Sequence, residues 1–300
     1  MKRTNMLENK TAIVTGASSG IGAALAVLLA KEALSVVLAA RRTDRLDYTA
    51  GRIRALGKTC LVVPCDVSKR SDAEYLIRRA AEEFGRIDIL VNNAGRGHFA
   101  SVEDTTDEMV QSMFAVNVFS LWYTTRPALA FMKRQGNGHI INVASMAGKL
   151  GYPYNSAYVA AKHACVGFTY ALRQELAETN IQATVVCPAG VTTEWANMTE
   201  GGSMREFFSQ SGDHIKRIAE ERGIALPSIE GVKSAEDVAS SILECIYHPV
   251  PEVYTHKGSR EFVMLAMQDR ERAEQQMLPV VLGEREVYEQ LVRKRRQESV

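Results

Sequence analysis

Short apolar runs alternate along this chain with longer segments whose apolar positions recur every three to four residues. Thr11 to Thr15, Ser35 to Ala40, Cys60 to Pro64, Ile87 to Val91, His139 to Val143, Ile181 to Cys187 and Glu252 to Thr255 have the length and texture of buried strands. Between them, Ile21 to Ala33, Asp44 to Ala55, Asp72 to Phe84, Glu108 to Met132, Asn155 to Glu178 and Ala235 to Tyr247 read as helices. In Asp72 to Phe84, for instance, Ala73, Leu76, Ile77, Ala80 and Phe84 fall on one side. Strands alternating with helices predict a doubly wound α/β fold, a seven-stranded parallel sheet with helices on both faces.

Two stretches break the rhythm. Thr193 to Gly231 mixes glycine, serine, methionine and aromatic residues without a clean period, and residues 194–231 are expected to form a lid. Trp195, Met198, Met204, Phe207 and Phe208 would give that lid an apolar surface. After Gly258 the chain turns helical and strongly charged, so we divide it into a domain at 1–258 and a helical extension at 259–300. Within the extension, Glu284 to Gln297 places Val287, Tyr288, Leu291 and Val292 on one side. Arg293, Lys294, Arg295 and Arg296 fall in the last turn, where positive charge suits the helix dipole. A short helix with one apolar stripe needs a surface to cover, and we expect it to dock near the lid, on its own domain or a second subunit.

Composition excludes several function classes. The 300 residues carry 36 Lys and Arg against 35 Asp and Glu, a net charge of +1, which leaves no broad electrostatic footprint for nucleic acid or an anionic membrane. The five cysteines form no C-x-x-C pair and read as free thiols of a reducing compartment, hence a cytoplasmic protein. The six histidines show no metal-binding spacing, so no metal is expected. Met1-Lys2-Arg3 is followed by polar residues rather than a signal-peptide core. The most membrane-like run, Ala23 to Ala40, is interrupted by Lys31 and Glu32, and no membrane span is expected.

Chemistry concentrates in four places. Gly16, Gly20 and Gly22 follow a strand and open a helix, where a tight turn lets backbone approach a pyrophosphate at a helix N-terminus. Asn92-Asn93-Ala94-Gly95 follows the fourth strand, and Ser145 closes the fifth. Tyr158 and Lys162 lie four residues apart, on one face of a helix. An ammonium beside a phenol stabilises the phenolate. Bringing a tyrosine from about 10 to roughly 7 takes about 4 kcal/mol of such stabilisation.

With these motifs in their order, Thr15 to Gly22 matching T-G-x-x-x-G-x-G, Asn92 to Gly95 matching N-N-A-G and Tyr158 to Lys162 matching Y-x-x-x-K, the chain resembles the short-chain dehydrogenase/reductase family from about Lys10 to Thr255. The resemblance implies a Rossmann fold and an oxidoreductase that reduces a carbonyl or oxidises a secondary alcohol. It makes Tyr158 the general acid or base, Lys162 its electrostatic partner and ribose ligand, and Ser145 the hydrogen-bond donor to the substrate oxygen. It makes Asn117 the holder of a relay water behind Lys162. Cofactor contacts are implied for Gly16, Ser18, Ser19, Gly20, Ile21 and Gly22 around the pyrophosphate, and for Asp66 and Val67 at the adenine. Asn93, Ala94 and Gly95 would line the nicotinamide side. Pro188-Ala189-Gly190-Val191-Thr192-Thr193 resembles the family's P-G-x-V-x-T loop, with Pro188, Gly190, Val191 and Thr193 expected at the carboxamide. Ala189 stands where the family has glycine.

The second strand ends Leu38-Ala39-Ala40-Arg41-Arg42. Ala40 occupies the place of the acid that would bind the 2′-hydroxyl of NAD, and Arg41 and Arg42 follow. A guanidinium fork suits a 2′-phosphate, so NADP(H) is the expected cofactor. The expected partner is a small-molecule carbonyl or alcohol substrate of hydrophobic or bulky character, and the expected assembly a homodimer or homotetramer. Reduction of a 3-oxoacyl thioester, with Arg96 or Lys149 meeting a phosphate, is an alternative. A regulator that binds NADP without turnover is another, and its expected mark, loss of the tyrosine or lysine, is absent.

Overall fold

The computed structural model describes residues 6–197, 199–200 and 204–298. Its centre is a seven-stranded sheet: β1 Thr11–Thr15, β2 Ser35–Ala40, β3 Cys60–Pro64, β4 Ile89–Asn92, β5 Gly138–Val143, β6 Ile181–Cys187 and β9 Glu252–Tyr254. The spatial order is β3-β2-β1-β4-β5-β6-β9 with every neighbouring pair parallel. Reversal of the order beside β1 leaves a crevice at the carboxyl ends of β1 and β4, the place where open α/β sheets bind ligands.

The period of two along each strand splits the core into two layers. Ala12, Val14, Val36 and Leu38 face helices α1 (Gly20–Lys31), α2 (Thr43–Arg54) and α8 (Ala235–Tyr247). Ile13, Val37 and Ala39 face α3 (Arg70–Phe84), α5 (Ser120–Gln135) and α6 (Ser156–Glu175). Each buried Val, Leu or Ile contributes about 1.5–3 kcal/mol by leaving water, and a one-residue slip of any strand would exchange the layers. The single apolar run expected from Glu108 to Met132 is instead α4 (Asp107–Phe114), a π-helical turn at Ala115–Phe119, and α5. That wide turn carries the buried Asn117, and such bulges are frequent at functional sites.

The irregular stretch after β6 is closed at its feet. β7 Val191–Thr192 pairs in parallel with β8 Lys233–Ser234, so the chain leaves and returns at one point. The intervening residues contain helix α7, Met204–Arg222, which the sequence pattern had left without a period. Met198 lies outside the described residues. The extension forms α9 (Ser259–Gln268) and a 29-residue α10 (Arg270–Glu298). Val287 and Leu291 of α10 pack with Phe99, Met204 and Phe207, and Gly283 brings α10 so close to α7 that an added Cβ would lie 2.8 Å from Ile215. Tyr288 stacks on Tyr154 with centroids 3.9 Å apart and planes 8° apart. Docking beside the lid, on its own chain, is therefore the observed arrangement. Side chains beyond Lys294 are not described.

Among the described residues, no helix is long and apolar enough to cross a membrane and no cluster of His, Cys, Asp and Glu could hold a metal. All five cysteines are free, four of them buried.

Candidate active site

A cavity of about 740 Å³ opens along the carboxyl ends of the strands. At one end lies the glycine turn. Gly16 has φ +68°, and a Cβ there would sit 2.8 Å from Asn93 Nδ2 and 2.9 Å from Ala94 Cα, so only glycine lets the two loops meet. Asn93 Nδ2 donates to the Thr15 carbonyl at 2.9 Å, and Thr15 Oγ1 accepts from the backbone N–H groups of Asn93 and Ala94. The Asn92–Gly95 loop thereby braces the turn as well as lining the cavity. Ser18, Ser19, Gly20 and Ile21 line the cavity; Gly22 lies behind it, where α1 packs on the turn.

Beyond the turn stand Arg41 and Arg42. Arg41 is exposed at the cavity wall. Arg42 donates to Ser19 Oγ at 2.7 Å and Ser18 Oγ at 3.3 Å, and pairs with Glu194 at 3.0 Å. Glu194, at the foot of the lid, had no sequence signal of its own. It ties the lid to the guanidinium that sits nearest the glycine turn. Asp66 and Val67 line the same region; Asp66 Oδ1 also accepts from the N–H and hydroxyl of Ser68, closing a local turn before α3.

At the other end Ser145, Tyr158 and Lys162 converge. Ser145 Oγ accepts from the Ala147 N–H at 3.1 Å, fixing its direction at the start of a short 3-10 turn. Lys162 Nζ donates to the Val143 carbonyl at 2.9 Å and lies 5.7 Å from the centroid of the Tyr158 ring. Asn117 does not line the cavity. Its amide donates to the Arg96 and Met113 carbonyls and accepts from the Arg96 N–H. Gly95 separates it from the lysine: a Cβ there would lie 2.9 Å from Asn117 Oδ1 and 3.5 Å from Lys162 Nζ.

The expected lowering of the tyrosine pKa is not what this geometry produces. Burial pushes Tyr158 up to about 12, opposed by its hydrogen bond with Ser145. Burial also lowers Lys162. Both charged forms lose water, and the ammonium spends a donor on the Val143 carbonyl rather than on the phenol. Burial therefore works against the Tyr158 phenolate rather than for it.

The loop Pro188–Thr193 follows β6. The Ala189 methyl joins the apolar cluster of Met146, Leu150 and Phe262, while its N–H donates to His256 Nδ1 at 3.2 Å. The other ring nitrogen of His256 lies 2.8 Å from the Gly190 carbonyl. The departure from glycine is thus absorbed by a neighbouring core and a histidine clamp. Pro188, Gly190, Val191 and Thr193 all line the cavity, and Thr193 Cγ2 would meet a Cβ at Gly20 at 3.0 Å.

Trp195, Met204 and Phe208 complete the chamber, with Trp195 5.2 Å from the Tyr158 ring. Phe207 turns away into the Phe99 cluster. Lys149 is occupied outside the chamber, paired with Glu252 and set over the Tyr170 ring at 4.5 Å. Arg96 is held by Ser112 at 2.8 Å and Glu200 at 3.7 Å. Tyr152 and Glu284 also line the cavity and were not foreseen.

Comparison with known proteins identifies the family. The family profile described as short chain dehydrogenase matches residues 10–201. The chain belongs to the short-chain dehydrogenase/reductase family. It is 32% identical over 255 residues to the ketoacyl reductase HetN of Nostoc sp., covering 84% of this chain and 80% of the relative. It is 41% identical over 190 residues to the D-beta-hydroxybutyrate dehydrogenase of Cupriavidus necator, covering 63% and 73%. Among solved structures, a short chain dehydrogenase/reductase from Burkholderia phymatum in complex with NAD superposes with a TM-score of 0.77 at 29% identity, over 88% of this chain and 95% of that one. An alcohol dehydrogenase from Thermococcus sibiricus complexed with 5-hydroxy-NADP gives 0.68 at 26%, over 82% and 96%. As a member of this family the protein is an oxidoreductase that uses a nicotinamide dinucleotide.

Proposed function

We propose that this short-chain dehydrogenase/reductase reduces the carbonyl group of a small, largely apolar ketone or aldehyde with NADPH, Tyr158 acting as the general acid. One observation carries the reading: Ser145, Tyr158 and Lys162 meet at one end of a cavity whose other end holds a glycine turn flanked by Arg41 and Arg42. The residues present suit the dinucleotide. The turn has no room for a side chain at Gly16, and Ala40 stands where a carboxylate would discriminate for NAD, with the exposed Arg41 beside it.

The Gly16–Ile21 turn with Arg41 and Arg42 at one end of the cavity and the Pro188–Thr193 loop at the other would hold NADPH, which would supply the hydride for the carbonyl carbon. Ser145 donates a hydrogen bond to the carbonyl oxygen and holds it beside the phenol. Tyr158, a neutral phenol whose ionisation burial opposes, gives its proton to that oxygen as the C–O double bond becomes a single bond. Lys162 anchors the base of this end through Val143 and offers its remaining donors toward the cavity. Asn117 fixes the Arg96 backbone behind Gly95 and so keeps the loop and the lysine in register. Trp195, Met204 and Phe208 cover the chamber and exclude water.

The thioester alternative needs Arg96 or Lys149 free for a phosphate, but both already have partners within the protein. A cofactor sensor without turnover has no use for three reactive side chains gathered at one point. The test is Tyr158→Phe, assayed by NADPH oxidation with a panel of neutral ketones and by NADPH titration. Loss of the proton donor should cut turnover by about a hundredfold to ten-thousandfold with cofactor affinity retained. Near-normal turnover would remove Tyr158 from the mechanism.

A further inference from the structure

Carbonyl reduction through Ser145, Tyr158 and Lys162 leaves one wall of the chamber unused. Glu284 of α10 is only 6% exposed, and its carboxyl has no hydrogen-bond or ionic partner among the described residues. Yet it lines the same cavity as Ser145 and Tyr158. Buried acidic groups are nearly always paired or coordinated. A buried carboxyl without a protein partner and open to a ligand chamber asks for an explanation, and a partner that arrives with the ligand supplies one. Its position is fixed from outside: the preceding Gly283 sits against Ile215, while Glu286 on the outer face is clamped by His214 at 2.6 Å and Arg217 at 2.7 Å.

The surroundings favour a cation over other partners. Tyr152, Trp195 and Phe208 line the cavity with Glu284, and aromatic faces attract positive charge. Tyr152 feels the charge of both Glu284 and Tyr158, so the carboxyl and the reacting hydroxyl share one chamber. Among the described residues no cation pairs with Glu284: Lys162, on the same cavity, is bound to the Val143 carbonyl, and burial is all that shifts the carboxyl. Arg205, the nearest basic residue of α7 on the cavity wall, is exposed; Arg96 and Lys149 are paired elsewhere; Arg285 acts on Tyr154. Burial alone raises Glu284 to about 8. Ionising such a group at neutral pH costs about tenfold in affinity, which an ammonium in a chamber of low dielectric more than offsets.

We propose that Glu284 is the recognition group for a basic amine on the substrate, so that the carbonyl compounds this enzyme prefers carry an ammonium group. The inference rests on the reductase reading for its substrate, not for its binding site. Two measurements separate them. The first is the ratio of kcat/KM for the para-aminomethyl derivative of benzylacetone to that for benzylacetone itself, with saturating NADPH. The second is calorimetric binding of phenethylamine, which cannot be reduced, to the full-length protein with NADPH.

The wild-type protein should favour the amine at least tenfold. Glu284→Gln keeps the shape and removes the charge, and should lower the ratio and the phenethylamine affinity at least tenfold each. A glutamine that only replaced a neutral hydrogen-bond donor would leave both unchanged, and that result overturns the proposal. Glutamate-dependent amine binding in a protein that reduces no ketone would uphold Glu284 and refute the reductase reading. Turnover of ketones through Tyr158 with no amine preference would do the reverse. Circular dichroism and thermal melting of the variant establish that it is folded.

Discussion

Tyr288→Ala tests whether the extension builds the substrate chamber. The ring of Tyr288 stacks on Tyr154 at 3.9 Å and meets Phe99 edge-on at 5.5 Å. Its hydroxyl accepts from the Ser101 N–H at 2.9 Å and lies 3.1 Å from an Asp104 carboxylate oxygen. Two aromatic contacts contribute about 0.5–1.5 kcal/mol each beyond area burial. The hydroxyl contributes about 1 kcal/mol, reduced because water can replace it at a half-exposed loop. Full burial of an aromatic ring would raise the loss to about 3–5 kcal/mol; half-burial here puts it at about 2–4. For a chain of 300 residues that corresponds to a fall in Tm of about 3–6 °C if unfolding is cooperative. Release of α10 also withdraws Glu284 from the chamber, so KM for the carbonyl substrate should rise several-fold while NADPH affinity stays. Tyr288→Phe keeps the stacks and should lose no more than the hydroxyl contribution. Differential scanning fluorimetry, steady-state kinetics and cofactor titration read these three quantities. An alanine variant with unchanged Tm and KM, or with cofactor binding damaged as much as substrate binding, would refute the reasoning.

Further expectations follow from the same geometry. Kinetics with both cofactors should show a preference for NADPH, and Ala40→Asp with Arg41→Ser should shift it toward NADH by about tenfold, since Arg41 is exposed and its phosphate contact is screened; equal specificity constants in the unmodified protein would sink this. Lys162→Ala should weaken NADPH binding and turnover together, and loss of turnover alone would confine the lysine to proton transfer. Glu284 binds its proton more tightly when folded, about 8 against an ordinary 4.5, so its contribution to stability falls as pH rises from about 4.5 to about 8. Glu284→Gln should therefore melt higher than the wild type at pH 9 by on the order of a few kcal/mol of stability, with the gap closing toward pH 5; a constant gap in Tm across that range would count against the buried carboxyl.

The strands and the residues at their carboxyl ends were legible in the sequence because both depend on local order. Alternation at period two set which side chains of β1 and β2 enter which layer, and the parallel sheet then carried the Gly16 turn, the Asn93 loop and Ser145 to one edge. A spacing of four put Tyr158 and Lys162 on one helical face. Tertiary structure decided what depends on burial and on partners distant along the chain. No pattern near Glu284 or Glu194 announces a site; α10 packing on α7 brings the first into the chamber, and the foot of the lid brings the second to Arg42. Helix α7 escaped notice because its buried positions, Met204, Phe207, Ser211, Ile218 and Ala219, include small and polar residues that only a neighbouring helix makes into an inner face. The protonation of Tyr158 was also beyond the sequence. A lysine four residues away argues for a lowered pKa, but the balance between a nearby charge and lost hydration is set by everything that covers the pair, and here the covering wins.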